Sequence, residues 1–331
     1  MTVERLGWLL LQAPHYDRQS ALDPAGPRAA AVETLWWFMF AVAAAVVVAI
    51  VAALVHGSFR HRGAAEDPAG PEMHRKMTRW VAASIGLTFV ILVAFLVTNF
   101  ALGRAVAAPP RGQPPLRIDV IGHQWWWEVR YHDPVPHNIV STANEIHVPT
   151  GRPVLLRMTS NDVIHSFFAP NLFGKKDLIP GHTTQTWFQA DKPGVYRGQC
   201  AEFCGHQHAK MGFFVVAEPP SQFNQWLGAQ RNPGLPPADT LQARGQVVFM
   251  TGSCAMCHAI TGTPAGGRRG PDLTHVGSRR TIAAGTLLNT RGNLGGWVID
   301  PQRIKPGAYM PPNNLEPADL RALLAYLESL K

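Results

Sequence analysis

Charged residues are missing from two long stretches near the N-terminus, Thr34 to Val55 and Trp80 to Gly103. Each matches the roughly 20 residues that a helix needs to cross a bilayer core. A buried core helix seldom stays uncharged for that length, and Trp36, Trp37 and Trp80 stand near the ends as interfacial anchors do. The pattern predicts a two-helix transmembrane hairpin over residues 34–106. In the hairpin loop Arg60, Arg62, Arg75, Lys76 and Arg79 outnumber Glu66, Asp67 and Glu72, and an excess of Lys and Arg marks the cytoplasmic side. Both ends of the chain are therefore expected outside. In the preceding N-terminal segment, 1–33, the apolar run from Gly7 to Ala13 is too short for a third membrane helix and is compatible with a degenerate signal peptide.

Beyond the hairpin the periodicity changes. A Pro-rich extended linker, Ala107 to Pro115, cannot continue a helix. From there to about residue 220, short runs rich in β-branched and aromatic residues are separated by Gly, Pro, Asn and Asp: Leu116 to Ile121, Trp125 to Tyr131, Pro153 to Met158, Thr184 to Gln189 and Gly212 to Val216. They predict an antiparallel β-sandwich or barrel over residues 113–220. A second linker, 221–237, ends in the break from Arg231 to Pro237. After it, over 238–331, the pattern turns helical. Ala238 to Met250 leads into Cys254, and Leu320, Leu323, Leu324, Leu327 and Leu330 share one face of a last helix that opens near Pro317.

A chain of 331 residues has room for two or three such modules. Its net charge of +8 suggests an anionic partner, but the distribution excludes nucleic acid. Residues 113–220 hold 9 basic and 9 acidic side chains, and the 10 basic against 6 acidic of 238–331 are scattered rather than gathered in a stripe.

The four cysteines form two close pairs, Cys200 with Cys204 and Cys254 with Cys257. Two disulfides are the ordinary reading for an exported segment, yet each pair sits among other metal ligands. In Cys254-Ala-Met-Cys257-His258 two thiols three positions apart suit thioether attachment of a haem, and the adjacent imidazole suits the iron. A redox CxxC would want a βαβ setting and a zinc site a second CxxC, and neither follows.

The other pair lies in Cys200-Ala-Glu202-Phe-Cys204-Gly-His-Gln-His208-Ala-Lys-Met211, preceded by Asn161-Asp-Val-Ile-His165. Two thiolates, two imidazoles and a thioether suit copper, and two close cysteines can bridge two metals as well as chelate one. Cys200, Cys204, His208 and His165 would also make a Cys₂His₂ zinc site, although zinc has no use for Met211.

From Cys254 to the C-terminus the chain resembles the small class I cytochrome c domains. That resemblance implies an all-α haem c domain whose second axial ligand is the methionine of Tyr309-Met310-Pro311-Pro312, ahead of the last helix. Met250, Met256 and His275 are the weaker candidates, explained by packing or exposure. The segment Arg269-Gly270-Pro271 resembles the family stretch beside the proximal histidine, which makes the Pro271 carbonyl the partner of the His258 ring.

From about Leu35 to Ala217 the chain resembles subunit II of cytochrome c oxidases, of the caa3 type once the fused cytochrome is counted. The resemblance rests on the hairpin, on Gly122-His-Gln-Trp-Trp-Trp-Glu128, on the Asp162 to His165 segment, on Ile179-Pro-Gly181 and on the copper loop. It implies a cupredoxin sandwich carrying the dinuclear CuA centre. Cys200 and Cys204 would bridge both coppers, with His165 and Met211 completing one, and His208 with the Glu202 carbonyl the other. The Glu202 side chain is left for a magnesium ion at the contact with subunit I. Trp125 matches the family's residue of electron input to CuA, which would leave it exposed over the copper loop, with Trp126 or Trp127 as packing. Glu33-Thr-Leu-Trp36 resembles a family segment that begins the second helix on the cytoplasmic side, whereas here it begins the first helix outside, so its proton-channel role does not transfer.

The implied function is electron input to a proton-translocating terminal oxidase of a bacterial inner membrane, with the soluble domains periplasmic. The implied donor is cytochrome c or the cytochrome bc1 complex, and the implied partners are subunit I, other oxidase subunits and membrane lipid. Two alternatives share these residues: an electron-input subunit of a nitric oxide reductase, and a membrane-tethered cytochrome shuttle with a structural zinc domain.

Overall fold

The computed structural model describes residues 19–60, 70–110 and 112–331. The Gly7 to Ala13 run, the loop residues 61–69 and Arg111 of the first linker lie outside the described residues. The chain forms two compact units, one of residues 30–108 and one that joins the preceding segment to everything from Pro109 onward.

The first unit consists of two helices, α1 (Pro27–Arg60) and α2 (Pro71–Ala105), each long and apolar enough to cross a membrane. Their apolar side chains, such as Val48, Leu54, Leu87 and Leu96, are exposed, the pattern of a helix whose solvent is lipid. Phe38 and Phe95 meet edge to face at 5.3 Å between ring centroids. Helix α1 begins seven residues before the uncharged run, because Pro27 presets the first turn.

In the second unit ten strands form a sandwich. They are β1 (Leu116–His123), β2 (Trp126–Tyr131), β3 (Val140–Ala143), β4 (Glu145–Pro149), β5 (Val154–Ser160), β6 (His165–Ala169), β7 (Phe173–Leu178), β8 (Thr184–Phe188), β9 (Gly194–Cys200) and β10 (Gly212–Glu218). One sheet has the order β3-β2-β1-β5-β8 and the other β4-β10-β9-β6-β7. β1 pairs parallel with β5, and β10 parallel with β4, while their other neighbours run antiparallel. Inward residues alternate along the strands as in Ile118, Val120, Trp127, Val129, Leu156 and Met158, and with Phe167 and Phe213 they fill one core. β10 is buried on both faces, for Phe214 also lies beneath the turn at Gly285.

The stretch expected as a linker from residue 221 opens instead with helix α3 (Pro220–Gln230). Its Phe223 is 2% exposed and joins the sandwich core beside Tyr131, and Trp226 stacks on His147. Only the part from Arg231 onward connects the modules.

The last module packs α4 (Thr240–Thr251) against α8 (Pro317–Ser329), with α5 (Cys254–Cys257), α6 (Arg291–Ile299) and α7 (Pro301–Ile304) between them. Asp239 caps α4 by accepting from the Gln242 N–H. The α4–α8 crossing is so close that a Cβ at Gly245 would lie 2.0 Å from the Ala322 carbonyl oxygen. Leu323, Leu324 and Leu327 are buried, as the leucine periodicity predicts. A two-stranded ribbon, β11 (Thr281–Ile282) with β12 (Leu287–Leu288), is added to the helices.

Candidate metal centres

The end of β9, the start of β6 and the residue before β10 meet at one pole of the sandwich, and the loop between β9 and β10 closes over them. The Cys200 N–H donates to the Met211 carbonyl at 2.9 Å, and the Ala201 N–H to the Ser166 carbonyl at 2.9 Å, so both loop ends are held by sheet neighbours. Cys200, Cys204, His165 and Met211 are buried. The two Sγ atoms are 3.7 Å apart; His165 Nδ1 lies 3.9 Å from Cys200 Sγ, and His208 Nδ1 3.6 Å from Cys204 Sγ. Met211 Sδ is 3.8 Å from Cys204 Sγ, and the Glu202 carbonyl oxygen 3.1 Å from Cys200 Sγ. The six expected donors are thus gathered, and those of His165, Cys200 and Cys204 lie within 4.8 Å of one another.

His165 is oriented from behind. Its Nε2 meets Asp162 Oδ1 at 2.7 Å, which turns Nδ1 toward the thiols. Burial pushes the Asp162 carboxyl up, but bonds from His165 and the Gln124 and Val163 N–H groups outweigh it and hold it below the usual carboxylate range. A Cβ at Gly122 would lie 2.7 Å from the His165 ring, so glycine in the Gly-His-Gln-Trp segment makes room for that imidazole. The Cys204 thiol pulls Cys200 down to about 3, and the resulting thiolate together with burial pushes Cys204 up. The second thiol gives up its proton readily only when a cation joins the pair, and a soft metal supplies that charge. The residues present fit copper.

Helix α5 and the turn after it present Cys254, Cys257 and His258. The His258 Nδ1–H donates to the Pro271 carbonyl at 2.7 Å, and the Gly270 N–H ties the same segment to the Cys257 carbonyl at 2.8 Å. Burial lowers the pKa of His258, favouring the neutral imidazole with Nε2 left for a metal. Arg279 donates to the Asp272 carbonyl, and its buried Nε has no partner among the described residues. An orphaned cationic donor here suits the carboxylates of a haem, so this site fits as well. Met310 lies in an irregular loop between α7 and α8, braced by Gln302, whose Nε2 donates to the Ala308 and Met310 carbonyls at 2.7 and 2.9 Å. The rival candidates have other occupations: Met256 is 72% exposed, Met250 packs on the helical core, and His275 Nε2 meets the Asn232 carbonyl.

The Met310 loop docks on the copper loop. The Gln207 Nε2 donates to the Pro306 carbonyl at 2.7 Å, Lys210 to the Ile304 carbonyl, and the Tyr309 hydroxyl to Gln124 Oε1 at 2.9 Å. The Tyr309 ring stacks on Trp125 with centroids 6.1 Å apart and planes inclined by 15°. Trp125 Nε1–H in turn donates to the Cys204 carbonyl at 2.9 Å. Trp125, expected exposed, is only 7% exposed because this loop covers it. Trp127 is core packing against Phe167 and Phe213, and Trp126 stacks on His123. The Glu202 side chain points outward, 3.4 Å from Lys175 Nζ. Gln302 and Arg279 carry no sequence signal as site residues, while Tyr309 and Asp162 stand in the quoted motifs without a role of their own assigned to them.

Residues 134–218 match the family described as the periplasmic domain of cytochrome c oxidase subunit II, and residues 242–331 match cytochrome c. The cytochrome c oxidase subunit 2 of Alkalihalophilus pseudofirmus is 34% identical over 322 residues, covering 94% of this chain and 91% of that protein. Its counterpart from Bacillus sp. (strain PS3) is 33% identical over 290 residues, 82% of this chain and 80% of that one. Among solved structures, the periplasmic domain of cytochrome oxidase subunit II of Bradyrhizobium japonicum is 30% identical and covers 36% of this chain and 96% of that chain, with a TM-score of 0.34.

Proposed function

The chain belongs to the cytochrome c oxidase subunit II family, and from that premise we propose that it receives electrons at a covalent haem c and delivers them through a dinuclear copper centre to the oxygen-reducing subunit I. The observation that carries this reading is the continuous connection from the Met310 loop through the Tyr309–Trp125 stack to the Cys204 carbonyl. The haem and the copper pair, when bound, each take up and release one electron. The protein's part is to hold both centres in fixed surroundings and to join them by packed aromatic and hydrogen-bonded groups.

Cys254 and Cys257 are assigned to the thioethers, His258 and Met310 to the iron. The Pro271 carbonyl fixes the His258 ring and so raises its basicity. The Met310 thioether would favour the reduced iron. For copper the donor count supports two metals rather than one: two shared sulfurs and four further donors would supply each metal with four donors, whereas one tetrahedral zinc would leave two donors idle. His165, Cys200, the Glu202 carbonyl, Cys204, His208 and Met211 are that set. The outward Glu202 carboxylate, with the exposed Lys175 beside it, is available for a magnesium ion completed by subunit I.

The apolar hairpin anchors the chain in the lipid of a bacterial inner membrane, with the metal modules on the periplasmic side. The donor is a cytochrome c or the cytochrome bc1 complex, and the assembled oxidase translocates protons. Metal analysis of the loaded full chain tests the site assignment: two coppers and one haem are expected, and Cys200→Ser abolishes the mixed-valence copper signal while the haem spectrum stays. One zinc per chain in place of copper would overturn it.

A further inference from the structure

Two buried ionisable side chains cross the junction between the copper and haem modules in opposite directions. Glu145, the first residue of β4 and 4% exposed, reaches out of the sandwich, and its Oε1 accepts from the Thr281 N–H at 2.9 Å and the Thr281 hydroxyl at 3.3 Å. Lys305, which follows α7 and is 3% exposed, reaches out of the haem module, and its Nζ donates to the Trp125 carbonyl at 2.9 Å and the Ala283 carbonyl at 3.3 Å. Thr281 and Ala283 belong to one ribbon turn, so the two side chains grip the same piece of chain from either side. That turn is shaped for its seat. Ala283 and Ala284 both hold positive φ, 54° and 58°, a conformation that a side-chain-bearing residue keeps only when its surroundings enforce it. The enforcing contact is at hand, for the Gly212 N–H next to the copper loop donates to the Ala284 carbonyl at 3.0 Å.

Apolar surfaces slide over one another at little cost, whereas a buried ionisable group is tolerable only where its hydrogen bonds are met. A shift of the haem module by a few ångströms would strand Glu145 and Lys305 together. We propose that Glu145 and Lys305 are positioning residues that lock the haem module onto the copper module in the single register that sets Tyr309 over Trp125. Tunnelling falls steeply with distance, so the register fixes the rate of the internal electron step. The lock rests on the reading that haem and copper exchange electrons within one chain.

The test uses the metal-loaded full chain in detergent, with flash reduction of the haem and the internal haem-to-copper rate followed at increasing viscosity. Lys305→Met and Glu145→Leu are each expected to slow that step about tenfold and to make it fall with viscosity, as a loosened dock must search for its register. Optical spectra are expected unchanged. Glu145→Gln keeps an acceptor oxygen and is expected to stay near the wild-type rate. Wild-type rates in both Lys305→Met and Glu145→Leu would overturn the lock, and so would a slowing that comes with a shifted haem potential and no viscosity dependence. If Lys305→Met fails to fold, Glu145→Leu decides by the same criteria. Failure of the underlying reading looks different: the wild-type chain itself would show no internal transfer.

Discussion

Trp125 holds two contacts with separable consequences. Trp125→Phe keeps an aromatic face for Tyr309 but loses the indole N–H bond to the Cys204 carbonyl. Internal transfer is expected to slow several-fold with both metal spectra unchanged, as flash kinetics would read. Trp127 lies fully buried against Phe167 and Phe213, so Trp127→Phe is expected to cost stability instead, on the order of 1–3 kcal/mol in thermal unfolding. Lys305 carries a pH dependence. Burial, helped by Lys210 and opposed by Cys204, lowers its pKa to about 7, against 10.5 for an ordinary lysine. The docked state therefore gives up the proton first: docking is strongest above the undocked value, weakens as pH falls from about 10.5 to about 7, and is level below that. The amplitude of the fast internal phase is expected to grow with pH across this window in the wild type and to stay level in Lys305→Met. The proposed ligands stand out in the sequence because thiolate, imidazole and thioether chemistry admits few residue types. Lys305 and Glu145 do not, since their partners are main-chain groups that leave no complementary side chain to read.

At the scale of elements, helix α3 is part of the sandwich rather than a tether. Phe223→Ala is expected to cost about 3–5 kcal/mol of that module's stability, seen as earlier thermal loss of the copper signal while the haem signal persists; equal loss of both would contradict the assignment. The strands read from sequence, β1, β2, β5, β8 and β10, are those whose apolar and β-branched residues dominate. Those that escaped had other demands on them. β6 begins with the proposed ligand His165, β9 carries Gly194 and Gly198 and ends in the proposed ligand Cys200, and the edge strand β7 exposes Lys175 and Lys176, the charges that keep an edge from pairing with other chains. β4 opens on Glu145, a polar residue buried by the haem module and not by its own sheet. Helix α4, capped by Asp239, and the leucine face of α8 were legible because both obey the helical period.

For the whole molecule, the short connection after α3 and the built junction turn electron delivery into an intramolecular event, with an effective concentration that reaches the millimolar range even before docking. The junction bonds run chiefly from side chains to main-chain groups, so added salt is expected to change the internal step little, in contrast to an encounter between charged partners. The membrane hairpin was legible from its missing charges, and the division into three modules from the two Pro-rich breaks. The docking of the haem module over Trp125 was not, because it depends on contacts between residues 180 positions apart in sequence. The central claim is that one chain carries haem c and copper and passes electrons between them. Its most direct measurement is flash reduction of the haem in the metal-loaded chain over a wide range of protein concentration. The account predicts that haem reoxidation and copper reduction proceed together in a single first-order phase whose rate does not change with concentration. A rate proportional to concentration, or haem reoxidation without copper reduction, would contradict it.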